Sequence, residues 1–283
     1  MKRFTLNTQN ADAWRGLLIS GLCAPSIEDC ASATLAGASE LFATAVSLQD
    51  RNDLLAQIES RAKAGDPLWH GLISEWRRER LPRLTDDIHG TRIFEFFRLR
   101  ETGDKTSDHF SLFLERFCRS MKSDCFPPTF TNALAKVADE MADNVVQHSL
   151  THEPFSGIAG YHVACGRAAF VAIDIGRGIL ARLKDSPKWS HLENSRAALR
   201  VIVTEGASSR VDQGAGEGFK QLFSSLVDHN CLIRLRTDNS VLTVAEGQTN
   251  REGGELVSPQ LGGVQVSISC GVGKPAAETK IDT

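Results

Sequence analysis

The stretch GIAGYHVACGRAAFVAIDIGRGI, residues 157–179, decides how this chain is read. Residues 157–166 and 167–176 are both rich in β-formers and meet at a Gly-Arg pair, which predicts a hairpin. The second strand stays apolar until it delivers Asp174 at its end, and glycines 176 and 178 follow at once. A carboxylate there is placed to accept hydrogen bonds at the rim of a sheet. Taken alone, Asp-Ile-Gly also reads as an ordinary turn, so the flanking sequence has to decide.

Upstream, Pro127-Pro128 makes a hard stop, after which Thr131 or Asn132 can cap a long helix. Ala133, Val137, Met141, Ala142, Val145 and Val146 give that helix an apolar face through Ser149. Within it, the spacing in EMADNVVQHS (140–149) puts Glu140 and Asn144 on one face a single turn apart, and His148 continues the ridge. An isolated pair of this kind also fits the solvent side of an amphipathic helix. Downstream, residues 190–205 predict a helix, 206–218 a Gly- and Ser-rich loop, and 219–229 a further helix. In DQGAGEGFKQL (212–222), Gly214, Gly216 and Gly218 alternate, which leaves successive backbone N–H groups free to form an anion-binding nest before the positive end of a helix. Lys220 and Arg210 are the nearest cations, and the same composition also suits a plain surface loop. CLIRLRTD, SVLTVAEG and GGVQVSISC read as three strands, with a polar loop at 247–258 and a polar tail after Gly271.

The order of the three motifs resembles the GHKL ATPase superfamily, which includes gyrases, heat-shock chaperones, sensor histidine kinases and mismatch-repair proteins. Glu140-x-x-x-Asn144 lies in a helix, Asp174-x-Gly176-x-Gly178-Ile179 follows a strand, and Gly214-x-Gly216-x-Gly218 precedes a helix, over a span of about 85–272. The resemblance implies an α+β fold: a two-layer sandwich of the Bergerat type, with a mixed, mostly antiparallel sheet carrying helices on one face. It implies ATP and Mg2+ as cofactors. Asn144 would ligate the magnesium ion through its amide oxygen, and Glu140 would be the general base toward water or an acceptor hydroxyl. Asp174 would read the adenine amine, Gly176 and Gly178 would let backbone approach the base and ribose, and Ile179 would line the pocket. His148 and Lys220 join the nucleotide-binding set, and Gly214, Gly216 and Gly218 would cradle phosphates. Residues 180–213 have the composition of a short lid that could close over nucleotide. That shortness, with Asn144-x-x-x-His148 and the G-x-G-E-G-F form, is most similar to anti-sigma-factor serine kinases and stand-alone bacterial ATP-binding proteins. The implied function is ATP-Mg binding with slow hydrolysis or phosphoryl transfer that switches a regulatory state, an ATPase or protein serine/threonine kinase. The alternative is a non-catalytic, nucleotide-stabilised module that sequesters a protein, in the manner of an anti-sigma factor.

The N-terminal part reads differently. From residue 10 to 83 it is helical in pattern, with ASATLAGASELFATAV (31–46) and DLLAQIESRAKA (53–64) as its clearest runs. Trp69, Leu72, Ile73 and Trp76 form one stripe between Pro67 and Pro82. Residues 91–98 suit an edge strand and 109–121 a helix. The division is 1–84 as an α-helical region for partner binding or dimerisation, 85–272 as the ATP-binding domain, and 273–283 as a flexible tail. Neither His70 nor His89 sits in a histidine-kinase phosphoacceptor context.

Composition narrows the class. With 41% apolar and 24% charged residues the chain is expected to fold, and a net charge of -3 does not indicate nucleic acid. The N-terminus lacks the apolar core of a signal peptide, and no run approaches the roughly 18 apolar residues of a membrane span. Seven scattered cysteines without a C-x-x-C pair suit reduced thiols in a cytoplasmic protein. A regulatory protein partner is expected, and a homodimer is open. His148 and His152 lack the H-E-x-x-H frame of a zinc site, and the tail GVGKP lacks the rest of a Walker loop.

Overall fold

The computed structural model describes residues 4–6, 8–19, 30–47, 53–77, 92–100, 104, 106–148, 157–205, 226, 231–244 and 254–272. In chain order the first elements are strand β1 (Phe4–Leu6), helix α1 (Thr8–Ile19), strand β2 (Cys30–Ala33), and helices α2 (Leu35–Ser47), α3 (Leu54–Lys63) and α4 (Pro67–Arg77). Then come β3 (Phe94–Leu99), α5 (Asp108–Ser123), α6 (Pro128–His148), β4 (Gly157–Ala164), β5 (Arg167–Asp174) and α7 (Gly178–Leu183). A 3-10 turn at Pro187–Trp189, α8 (Ser195–Glu205), β6 (Cys231–Val244) and β7 (Gly254–Gly271) complete the described chain.

The five strands β3 to β7 form one antiparallel sheet in the order β3-β4-β5-β7-β6. Helices α5 to α8 pack on one face of it, giving an α+β two-layer sandwich. The β4–β5 hairpin turns on two residues, Cys165 and Gly166, both with positive φ (54° and 71°), as a two-residue hairpin loop of the primed type requires. Gly166 N–H also donates to Asp124 Oδ2 at the end of α5 (2.6 Å).

Strand periodicity divides the sheet between two cores. Ala168, Phe170 and Ala172 of β5, with Ala159, Tyr161 and Val163 of β4, meet Phe113, Phe117, Leu134 and Met141 of the helical layer. Phe117 and Tyr161 lie 4.9 Å apart between ring centroids, within the range of a favourable aromatic pair. Ile158, Val171, Ile173 and Phe96 face the other way and pack with Leu41, Phe42, Ile58 and Trp69 of the N-terminal region. That region therefore covers the second face of the sheet and shares a core with it. A mesh of charges reinforces the junction: Arg234 of β6 reaches Glu40 of α2 (2.8 Å) and Asp12 of α1 (2.5 Å), and Arg15 joins both carboxylates.

The structure corrects several details. The N-terminal region is not wholly helical, because β1 and β2 pair in parallel. The run expected as one helix from residue 31 is split by Thr34, whose hydroxyl caps α2 by accepting from Gly37 N–H (3.1 Å). The two strands expected at CLIRLRTD and SVLTVAEG are one strand over the described residues 231–244, carried through by a bulge around Asp238 (φ 48°). Part of the expected polar loop at 247–258 is strand, since β7 begins at Gly254. The expected lid is no free flap over its described part: Leu183, Trp189, Leu192, Leu199 and Val203 are buried in the main core. The helix expected at 219–229 lies outside the described residues, apart from the single buried residue Leu226. Among the described residues no helix is long and apolar enough to cross a membrane.

Candidate functional site

Strand β5 is central in the sheet, so its last residue ends in protein rather than in water. Asp174 is only 3% exposed. Its Oδ1 accepts from Gly176 N–H (2.8 Å), which folds the chain after the strand into a tight turn. Burial pushes its pKa up to about 6, against the opposing pull of the Gly176 and Val264 N–H groups and of Arg182; the nearby Asp238 adds to the rise. Burial likewise raises the carboxyl of Asp238 above its usual range.

Two glycines make this corner. Gly178 has φ +77°, and a Cβ on it would lie 2.7 Å from Asp238 Oδ1 and 2.9 Å from Thr237 Oγ1. Gly263 has φ +83°, and its Cβ would fall 2.1 Å from the Asp174 carbonyl oxygen. Both positions combine left-handed backbone with a closed approach, which suits glycine alone. The start of α7 is tied to the sheet next door, where Ile179 N–H donates to Thr237 Oγ1 (2.9 Å) and that hydroxyl donates to the Gly263 carbonyl (3.1 Å).

Asp174 and Asn144, thirty positions apart in sequence, line one small cavity between α6 and the sheet. Met141 and Val145 of α6, Arg182 of α7 and Val264 of β7 complete most of its wall. The cavity holds about 10 Å³, on the scale of one water molecule. Asn144 is half-buried and its Nδ2 donates to the Glu140 carbonyl one turn back (3.0 Å), which leaves the amide oxygen as its remaining acceptor. The corner thus combines a buried carboxylate of raised pKa, an amide oxygen and a guanidinium. Such a set can hydrogen-bond one small polar guest of the size of a water molecule.

The motif residues separate as follows. Glu140 is half-buried on the same helix face as Asn144 and is not part of the cavity wall. His148 is the last residue of α6, so the Glu140, Asn144, His148 spacing is helical throughout. Ile179 does not line the cavity; it is buried in the main core. Gly176 supplies an N–H to Asp174, and Gly178 is spent on the approach to Asp238 rather than on an open surface. Arg210, Gly214, Gly216, Gly218 and Lys220 lie outside the described residues. Sequence reasoning missed Arg182, Asp238 and Gly263. The Gly262-Gly263 pair heading an apolar run was the one available signal, since a glycine inside a strand pattern marks a close approach or bulge.

Among the described residues no group of three or more His, Cys, Asp or Glu is placed to hold a metal ion. Comparison with protein-family models and with curated proteins finds no match.

Proposed function

We propose that this chain is an ATP-Mg-binding protein of the GHKL type, with the nucleotide held between α6 and the end of the sheet. The observation that carries the reading is the meeting of Asn144 and Asp174 at one cavity, in an α+β sandwich where a long helix lies over an antiparallel sheet. The donor set fits the group. A buried carboxylate with free acceptor capacity suits the adenine amine, and an amide oxygen is a hard ligand suited to magnesium that keeps waters and phosphate oxygens as its other ligands. When bound, Mg-ATP supplies a phosphoryl group whose charge is neutralised by the cation.

The chain's own residues then have distinct tasks. Asp174 accepts from the base and fixes its orientation, with Gly176 N–H holding the carboxylate in place. Asn144 presents its oxygen from α6, and Glu140 orients and deprotonates a nucleophile one turn away. A cavity on the scale of one water does not admit a base, so binding requires α6, α7 and β7 to part around Asp174. Phosphate recognition falls to Gly214, Gly216, Gly218 and Lys220, and the output is a regulatory switch toward a protein partner. Equilibrium dialysis of the full chain against Mg-ATP tests the reading: one site per chain, weakened at least tenfold in Asn144→Ala, supports it, and no retained nucleotide refutes it.

A second reading is favoured by the position of Glu140 outside the cavity wall. In it, nucleotide only stabilises a surface that sequesters a protein. Glu140→Gln separates the two, abolishing function in cells in the first and leaving it intact in the second.

A further inference from the structure

A cavity of about 840 Å³, bounded by described residues, lies at the opposite end of the sheet from Asp174. Seven residue steps of β5, at about 3.4 Å each, separate Arg167 from Asp174, so the two places stand about 24 Å apart. The cavity is a consequence of the strand sequences. On the face covered by the N-terminal region, β5 presents Ile173 and Val171 where α2 packs closely, and two residues further back it presents Ala169 and then Arg167. Cross-strand registry sets Ala169 beside His162 of β4 and Ser269 of β7, and His162 beside Phe94 of β3. The next row joins Ala164, Arg167 and Gly271. Side chains of lateral neighbours share a face. The floor is therefore made of small residues with one aromatic edge and one cation, while Thr34, Leu35, Pro67 and Leu68 of the N-terminal region stand over it.

The charges at this cavity do not cancel. Asp66 at its rim is already satisfied: one carboxylate oxygen accepts from Leu68 N–H (3.1 Å) and the other from Arg61 Nε (3.2 Å). Partial desolvation lowers the His162 imidazole below its usual range. Arg167 is exposed at the mouth and makes no ion pair with another described residue. Cavities of about 300–1,000 Å³ with mostly apolar walls and a few placed polar groups are the usual form of small-molecule sites.

We propose that this cavity binds a small organic acid, with its apolar body on the Phe94, Ala169 and Leu35 side and its acidic head on Arg167. The guanidinium takes a carboxylate or sulfonate with paired N–H donors, and the hydroxyl of Ser269 and the imidazole of His162 border the body. Because the N-terminal region forms the roof and the sheet the floor, such a ligand ties the two together independently of the Asp174 corner.

The test uses 8-anilinonaphthalene-1-sulfonate, an apolar body with an anionic head, titrated into the full folded chain by fluorescence. The expected result is one saturable site, with Arg167→Glu weakening it at least tenfold and Ala169→Leu, which fills the floor, doing the same. Near-UV circular dichroism and the urea midpoint confirm that each variant is folded, and the exposed position of Arg167 keeps that variant informative if Ala169→Leu is not. Saturating Mg-ATP leaves the dye bound. Absence of a saturable site, or an affinity unchanged by Arg167→Glu, overturns the proposal.

Discussion

Replacing Asp174 by Asn tests the electrostatics of the candidate corner without changing its shape. The folded-state pKa is about 6, against 3.8 for a carboxyl in its ordinary solvated state, so the folded protein binds the extra proton between these values. Stability from this group is fully present below pH 3.8 and is lost as pH rises through 6. A rise of about two pH units corresponds to about 3 kcal/mol over the whole window, of which about 2 kcal/mol falls between pH 4.5 and 7.5. Asn mimics the neutral acid and keeps an acceptor for Gly176 N–H, so the variant lacks this slope. Urea unfolding of both proteins from pH 4.5 to 7.5 gives the difference directly, because the other titrating groups cancel to first order. The variant should gain about 2 kcal/mol relative to wild type as pH rises. Parallel stability curves would refute the argument and place Asp174 in contact with water or with a cation.

If the ionised Asp174 carboxylate accepts from the base, affinity for ATP should rise about tenfold per pH unit as pH rises toward 6 and level off above it, and calorimetry in two buffers should detect proton release below that point. Gly263→Ala, whose Cβ would sit 2.1 Å from the Asp174 carbonyl oxygen, should cost about 3 kcal/mol or more in urea unfolding, because backbone must move and φ is positive. Trp189→Ala should cost about 3–5 kcal/mol, as expected of a core side chain; a loss below about 1 kcal/mol would return this segment to the role of a mobile lid.

Local signals carried the centre of the fold and little of its periphery. The β4–β5 hairpin was legible because apolar runs of strand length flank a glycine, and α6 because of its apolar 3.6-residue pattern from Ala133 to Val146, although the helix begins at Pro128 and not behind a cap at Thr131 or Asn132. The β1–β2 pair was not, since a parallel pairing of three- and four-residue strands depends on partners far apart in sequence. The join of the two halves of β6 was hidden by Asp238-Asn239, residues that favour turns but here form a bulge held by β7. That the N-terminal region covers the sheet was implicit in the strands themselves: Val171 and Ile173 alternate with Phe170 and Ala172, so both faces are apolar, and an uncovered face would have been polar. At the site, Asp174 stood out at the end of an apolar strand before two glycines, and Asn144 by its four-residue spacing from Glu140; the fold adds that the two line one small cavity. Arg182 and Asp238 did not stand out, because an arginine on a short helix and an aspartate in a bulge carry no pattern until the chain is folded.

The central claim is that α6 and the end of β5 form a Mg-ATP site. Thermal unfolding of wild type and Asn144→Ala, with and without Mg-ATP, tests it most directly, since ligand at about a hundred times Kd stabilises by about 2.7 kcal/mol. A magnesium-dependent rise in wild type that is lost in Asn144→Ala is the expected result. An unchanged midpoint in wild type, or an equal rise in both proteins, would contradict it.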